Sequence, residues 1–316
     1  MASENTSQIY LSLVVPCYNE EASLPLFHDE ASKALSRLKT ENPCEFIFID
    51  DGSKDGTMDV LRGLAAQDSR IRYISFSRNF GKEAAMLAGL QTAKGEYTAV
   101  LDADLQNPPE RIPQMLEAVA SGECDCAGGR RKDRKGEPPI RSFLARRFYA
   151  LMNKITDIEM IDGASDFRLF NRKYREALTS LAERGRFSKG IFPWVGFKTK
   201  WFEYENIERK VGTTKWSFWK LFLYSIDGIT AFSSKPLAMA SLLGVLLFLG
   251  SLVYIGIVVV RRIVWGDPVA GWASTMCIIL FSSGIQLFTI GILGQYVAKI
   301  YAEVKKRPHY IVREEK

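Results

Sequence analysis

The sequence predicts an α/β protein with a mostly parallel sheet, followed by a two-helix membrane anchor, and three observations predict it. Short apolar runs bounded by turn residues alternate with helical patterns of ten or more residues, which implies βαβ units. Acidic or polar clusters stand at the C-terminal ends of those runs, where sheets of this kind bind ligands. Two charge-free runs, Pro236 to Val260 and Pro268 to Ala298, are each long enough to cross a bilayer as a helix.

The elements follow in order. Ile9 to Pro16 is a first buried strand, and a helical pattern runs from Asn19, a suitable N-cap with acidic residues behind it, to about Lys39. Cys44 to Ile49 is a second strand, ending in Asp50-Asp51-Gly52-Ser53. A helix over Met58 to Gln67, a strand over Ile71 to Phe76 and a helix from Lys82 to Ala93 lead to a strand that begins at Tyr97. Glu110 to Ala120 is a helix and Cys124 to Gly128 a strand. Arg141 to Tyr149 is basic, aromatic and helical in period, suited either to a membrane surface or to ordinary packing. Trp194 to Ile207 reads as an edge strand whose Trp201, Phe202 and Tyr204 pack.

Composition narrows the function. The 316 residues carry a net charge of +6, which fits a membrane surface and phosphate ligands, and no nucleic-acid motif accompanies it. Five cysteines without a CxxC pair read as small core residues in a reducing compartment. His28 and His309 lie away from acidic clusters, which excludes a histidine-based zinc site or a Ser-His-Asp triad. No G-x-G-x-x-G follows the first strand and no G-x-x-x-x-G-K-[ST] occurs, so nicotinamide chemistry and P-loop hydrolysis fall away.

The strand from Tyr97 ends in Asp102-Ala103-Asp104-Leu105-Gln106 and then a double proline. Side chains two apart in an extended chain point the same way, so Asp102 and Asp104 can face one point. Carboxylates so placed suit Mg²⁺ or Mn²⁺, which take oxygen ligands and keep waters and substrate phosphates. Taken alone, the motif is equally an acidic loop capping the next helix. Matching clusters at the other strand ends, Tyr18-Asn19-Glu20 and Asp50-Asp51, favour the metal.

Val15-Pro16-Cys17-Tyr18-Asn19-Glu20, Asp50-Asp51-Gly52-Ser53 with Asp55-Gly56-Thr57, and Asp102 to Gln106 together resemble the ordered motifs of family-2 inverting glycosyltransferases. That family has the GT-A fold, a Rossmann-like sheet. Asn107-Pro108-Pro109-Glu110 and the two C-terminal spans resemble its dolichyl- and undecaprenyl-phosphate subgroup, in the bacterial two-span form. The resemblance implies that Pro16, Tyr18, Glu20, Asp50, Asp51 and Asp102 line the nucleotide-sugar pocket. It implies a metal on Asp102, Asp104 and Gln106, and places Ser165-Asp166-Phe167-Arg168 beside the sugar and the acceptor phosphate. Asp166 is then the base candidate and Arg168 a phosphate ligand; the alternative is an internal Asp166–Arg168 pair that fixes a loop. Arg130, Arg141 and Lys215 are further candidates to hold the acceptor, the last in a segment resembling the subgroup's R-x-G-x-S-K, with Thr214 in the Ser position.

The implied reaction moves a sugar from a nucleotide diphosphate sugar, UDP-glucose favoured and GDP-mannose the other candidate, to a polyprenyl phosphate. The product would be a sugar donor for cell-envelope glycans. The attacking phosphate monoester has its second pKa near about 6, so Asp166 is expected to orient as much as to deprotonate. The alternatives are a membrane-anchored nucleotide-sugar binding subunit without turnover, and transfer to another lipid or to protein. No Q-x-x-R-W motif occurs, which argues against a processive synthase.

The expected division is a GT-A domain over residues 1–208, an interfacial juxtamembrane segment over 209–235, a two-helix anchor over 236–298 and a tail over 299–316. Trp216 to Tyr224, rich in Trp, Tyr and Lys, suits the bilayer interface. Lys and Arg flank the outer ends of the spans (Lys215, Lys220, Lys235, then Lys299, Lys305, Lys306, Arg307 and Arg313), against Arg261 and Arg262 in the connecting loop. The balance places the catalytic domain and tail on the cytoplasmic face of the inner or plasma membrane. Small residues in the spans (Ala240 and Gly244, Gly291 and Gly294) would allow close helix packing in a homo-oligomer.

Overall fold

The computed structural model describes residues 9–38, 43–132, 139–156, 158–181, 183–205, 226–265 and 271–316. They divide into two compact units, one of residues 1–225 with 307–316, the other of residues 226–306.

The first unit is built on strands β1 (Leu11–Cys17), β2 (Cys44–Asp50), β3 (Ile71–Phe76), β4 (Tyr97–Val100), β5 (Cys126–Arg131), β6 (Ala164–Asn171), β7 (Thr199–Tyr204) and β8 (Val312–Glu315). They form one sheet in the order β7-β5-β6-β4-β1-β2-β3-β8. The central strands β4, β1, β2 and β3 pair in parallel, β7 runs parallel to β5, and β6 and β8 run antiparallel to their neighbours.

Helices cover both faces, as buried parallel strands require. On one side α1 (Leu24–Leu35), α2 (Thr57–Gln67) and α4 (Ile112–Ala120) pack against Leu11, Leu13, Val15, Phe46 and Phe48. On the other, α3 (Lys82–Thr92), α6 (Arg172–Ser180) and α7 (Ser188–Trp194) pack against β1, β2, β4 and β6. Helix α3 lies so near β1 that a Cβ at Gly89 would collide with Val14. The basic helix α5 (Pro139–Ile155) stands between β5 and β6 in the chain.

Several elements differ from the sequence expectation. Helix α1 begins behind Ser23, not at Asn19. Asn19 instead adopts a left-handed φ of 54°, which asparagine tolerates. Its side-chain carbonyl accepts from Lys54 N at 2.9 Å and its own amide donates to Ser53 Oγ at 2.9 Å, so it fastens the loops after β1 and β2 together. The helix stops at Leu35, where Ser36 Oγ bonds back to the Lys33 carbonyl at 2.8 Å. Trp194 closes α7 rather than opening a strand, because Gly196 turns the chain at a φ of 74° before β7 begins.

The expected tail also changes character. Residues 312–315 form the outermost strand, antiparallel to β3. Glu314 takes a two-pronged contact from Arg62, at 3.1 and 2.6 Å, and a hydrogen bond from the Tyr73 hydroxyl at 2.9 Å. Tyr310 stacks on Phe76 with centroids 4.8 Å apart.

The second unit contains α8 (Lys235–Trp265) and α9 (Trp272–Val304), which pack on each other. Both contain stretches long and apolar enough to cross a membrane, Lys235–Arg261 and Thr275–Val304. Leu246, Phe248, Leu280 and Leu287 are exposed along them, a surface suited to lipid rather than water. Tyr296 donates to the Ser233 carbonyl at 2.7 Å and Lys299 to the Asp227 carbonyl at 2.8 Å. The interfacial segment expected around Trp216 to Tyr224 lies outside the described residues.

At the N-terminal ends of the strands, Glu45 is 3% exposed. Its carboxylate accepts from Ser12 Oγ at 2.6 Å, Lys94 N at 2.9 Å and Arg72 at 3.0 Å. Glu45→Ala strands those donors and should cost about 3 kcal/mol, with Glu45→Gln losing less, as read by denaturant unfolding of the purified chain in detergent.

Candidate active site

The site forms where β1, β2 and β4 end and β6 begins. Val100 of β4 pairs with Arg168 of β6; carried two residues on, that antiparallel register brings Asp166 level with Asp102. A lysine joins them. Lys82, the first residue of α3, places Nζ 2.6 Å from Asp102 Oδ1 and 2.7 Å from Asp166 Oδ2. Burial alone would disfavour this ammonium, but the two carboxylates outweigh it and raise its pKa. In turn, Lys82 and Lys189 overcome the burial of Asp166 and hold its carboxyl well below the usual range.

The loop that carries Lys82 is fixed from two sides. Asp51, 4% exposed, accepts from the amides of Phe80 at 2.6 Å and Gly81 at 2.9 Å. Burial raises its pKa to about 6, and the two amides hold it from rising further. Glu83 accepts from both the amide and the hydroxyl of Ser188 and so ties α3 to α7. Asp50 accepts from Ser75 Oγ at 2.8 Å and Ser53 N at 3.0 Å. Both members of the Asp50-Asp51 pair therefore hold neighbouring chain in place, and neither presents an unengaged carboxylate.

Asp104 accepts from the Gln106 amide at 3.1 Å, a tight turn completed by Leu105 at a φ of 59°. The Gln106 side-chain oxygen accepts from Arg131 at 3.4 Å. Asp102 is oriented from behind, since Tyr204 donates to Asn107 Oδ1 at 2.8 Å and Asn107 Nδ2 to Asp102 Oδ2 at 3.4 Å. No group of three or more His, Cys, Asp or Glu converges among the described residues. Asp102 and Asp104, two residues apart just past the end of β4, offer two carboxylates, a donor set that would suit a hard cation drawing its remaining ligands from water and phosphate.

Pro16 is buried within β1, while Tyr18 and Glu20 are half-buried on the loop behind it. Glu20 accepts from Ser23 Oγ at 2.5 Å and its amide donates to Thr57 Oγ1 at 2.9 Å. Arg130 is turned to the surface, its Nε donating to the Asp162 carbonyl at 3.3 Å and its guanidinium 3.8 Å from Glu203. Arg141 lies in α5, but its side chain is outside the described residues, as is the whole of Lys215.

Arg168 makes no ion pair with Asp166. Its side chain is buried, with the guanidinium 4.4 Å from the Phe192 ring and 4.8 Å from Trp201. Its Nε has no hydrogen-bond partner, and among the described residues no carboxylate bonds to it. It lines a cavity of about 560 Å³ together with Lys189, Tyr149, Met160, Trp194 and Trp201. Among the described residues Arg168 thus places a buried guanidinium with no bonded carboxylate in an aromatic-walled cavity, surroundings that would favour an anionic group.

Sequence reading named Asn107 only within a motif of the resemblance and Tyr204 only as a packing aromatic, and gave Lys82 and Lys189 no part in the site. A lysine opening a helix just after a strand end is the signal that could have found Lys82.

Residues 12–179 match the family described as "Glycosyl transferase family 2". A putative glycosyltransferase of Bacillus subtilis (strain 168) is 42% identical over 304 residues, 96% of this chain and 91% of that protein. A bactoprenol glucosyl transferase of Shigella phage SfV is 40% identical over 306 residues, 97% of this chain and 99% of that protein. A solved structure, glucosyl-3-phosphoglycerate synthase from Mycobacterium tuberculosis, is 20% identical with a TM-score of 0.49, covering 70% of this chain and 78% of its own. The fold and the acidic strand ends define an α/β transferase-type site. The chain belongs to glycosyl transferase family 2.

The raised pKa of Asp51 makes its contribution to stability greatest below about pH 4, and that contribution is lost as pH rises through about 6. Asp51→Asn does not titrate, so wild type should lose roughly 2 kcal/mol relative to the variant between pH 4 and 7, measured by unfolding at a series of pH values.

Proposed function

We propose that this chain transfers a hexose from a nucleotide diphosphate sugar to a polyprenyl phosphate, with inversion at the anomeric carbon. UDP-glucose is the favoured donor, and GDP-mannose the other candidate. The observation that carries this reading is buried, anion-less Arg168 in an aromatic cavity beside Asp166. A phosphate on an isoprenoid chain has the chemistry that such a cavity lacks. Relatives of this chain over nearly its full length are named bactoprenol glucosyl transferases.

The electrostatic problem is larger than the proton problem. Donor diphosphate, acceptor phosphate and leaving group are all anionic, while the acceptor oxygen is already largely ionised at neutral pH. Arg168 and Lys189 would bind the acceptor phosphate, Arg suiting a two-pronged contact. Asp166, kept ionised by Lys82, would orient the acceptor rather than remove a proton. Asp102 and Asp104 would hold Mg²⁺ or Mn²⁺, Gln106 joining after release from Arg131. Bound there, the cation supplies charge neutralisation for the departing diphosphate. Arg130, Arg141 and Lys215 remain candidates for the outer part of the acceptor path.

The same reading takes the two apolar helices as membrane spans and sets the catalytic unit on the cytoplasmic face. Lys and Arg at the outer ends of both helices support it. So does the return of residues 307–316 to the sheet, which requires an even number of crossings.

Membranes containing the chain, incubated with labelled UDP- and GDP-sugars and polyprenyl phosphate, should yield one lipid-linked sugar with stoichiometric nucleoside diphosphate release. Nucleotide binding with no lipid-dependent release would establish a binding subunit instead. Arg168→Leu should raise KM for the lipid phosphate about tenfold to a hundredfold and leave KM for the nucleotide sugar near wild type. Asp104→Ala should abolish transfer while Asp166→Asn keeps substantial turnover. An equal, complete loss in both would overturn the orienting role.

A further inference from the structure

Lys82 stands where the two halves of the proposed reaction meet. Asp102 belongs to the seat for the leaving diphosphate's cation and Asp166 to the acceptor side, yet one ammonium contacts both, at 2.6 and 2.7 Å. The contact is not an accident of a loose surface chain. The backbone ahead of Lys82 is clamped by Asp51 through Phe80 and Gly81, and the residue behind it, Glu83, is bonded to Ser188. Its side chain is nevertheless 41% exposed and that of Asp102 30% exposed, so the ammonium has open space into which to move.

A divalent ion held by Asp102 would compete with Lys82 for Oδ1, because Oδ2 already faces Asn107 Nδ2 at 3.4 Å and like charges repel at contact distance. Lys82 and the metal therefore exclude each other at that oxygen. The positive charge of Lys82 would not be lost to the site, because Asp166 retains it and the donor's phosphate oxygens would come within reach.

We propose that Lys82 is a built-in counter-cation that closes the metal seat in the absence of substrate. Its ammonium is displaced from Asp102 when a divalent ion arrives with the nucleotide diphosphate, and it stays on Asp166. The diphosphate supplies the further oxygen ligands that a two-carboxylate seat lacks, so it tips the competition toward the metal. This rests on the assignment of Asp102 and Asp104 as the metal seat. Lys82 thereby acts as a positioning residue that makes metal binding depend on the nucleotide, and it couples the donor side to the orientation of Asp166.

The test is Mn²⁺ binding to the purified full chain in detergent, followed by the electron paramagnetic resonance of free Mn²⁺, with and without UDP as the diphosphate probe. Wild type should bind Mn²⁺ at least tenfold more tightly with UDP present. Lys82→Met should bind Mn²⁺ without UDP at least tenfold more tightly than wild type, and its UDP enhancement should shrink. Lys82→Arg, which keeps a cation, should behave as wild type. Lys82→Gln carries the same measurement should the methionine variant not fold. A Lys82→Met or Lys82→Gln protein that folds and binds Mn²⁺ no more tightly than wild type overturns the proposal. Asp102→Asn separates the two levels. If it abolishes Mn²⁺ binding while the Lys82 variants leave it unchanged, the metal seat stands and the counter-cation falls. If Asp102→Asn leaves Mn²⁺ binding intact, the seat itself was misassigned.

Discussion

Carboxylates gathered at one edge of a sheet repel one another, and the fold must neutralise them locally or lose the edge. Asp50, Asp51, Asp102, Asp104 and Asp166 draw on hydroxyl, backbone amide and ammonium donors. Asp50 takes a serine hydroxyl, Asp51 two backbone amides, Asp104 the amide of its own turn, and Asp102 and Asp166 a shared ammonium. The assignments divide labour. Asp51 holds a loop in place through backbone donors, whereas Asp102 and Asp166 are satisfied by a single side chain.

The acidic residues also build outward from the edge. Asp51 fixes the loop before α3, the start of α3 presents Lys82, and Glu83 fastens α7. Helix α7 contributes Phe192 against Arg168, and Lys189 to the same cavity. A chain of local contacts thus runs from the end of β2 to the cavity that Arg168 and Lys189 line, without a long rigid connection. At the opposite end of the strands, Glu45 draws Ser12, Arg72 and the Lys94 amide together. The sheet is fastened at one end so that charge can be accumulated at the other.

Strand-end position, a local property of the chain, marked out Asp102 and Asp104, but the period-two premise did not hold, because β4 stops at Val100 and Asp104 lies in a tight turn with Leu105 at a φ of 59°. The alternation of strands and helices, also a local property, was legible too. Lys82 was not, since its partners lie 20 residues on, at Asp102, and 84 residues on, at Asp166. Arg168 was recognisable as a phosphate ligand only through resemblance. That it stands between Phe192 and Trp201 without an anion depends on segments that meet only after folding. Asn19 looked like a cap because asparagine serves caps and left-handed turns alike. Strand β8 carries Arg313, Glu314 and Glu315 among its four residues, a composition with no strand signature; its place is set by pairing with β3 and by Arg62 and Tyr73.

Strand β8 also bears on how the molecule can be dissected. The final strand of the catalytic sheet is encoded after both apolar helices, so cutting the chain ahead of the anchor discards part of the sheet along with the membrane. Strand β3 would then present bare amides and carbonyls along its outer side, a template for pairing with other chains. A water-soluble version needs residues 307–316 spliced back through a short linker to restore that edge. The synthesis order carries the same message: the sheet receives its last strand only after both apolar helices have been made, so its completion waits on them.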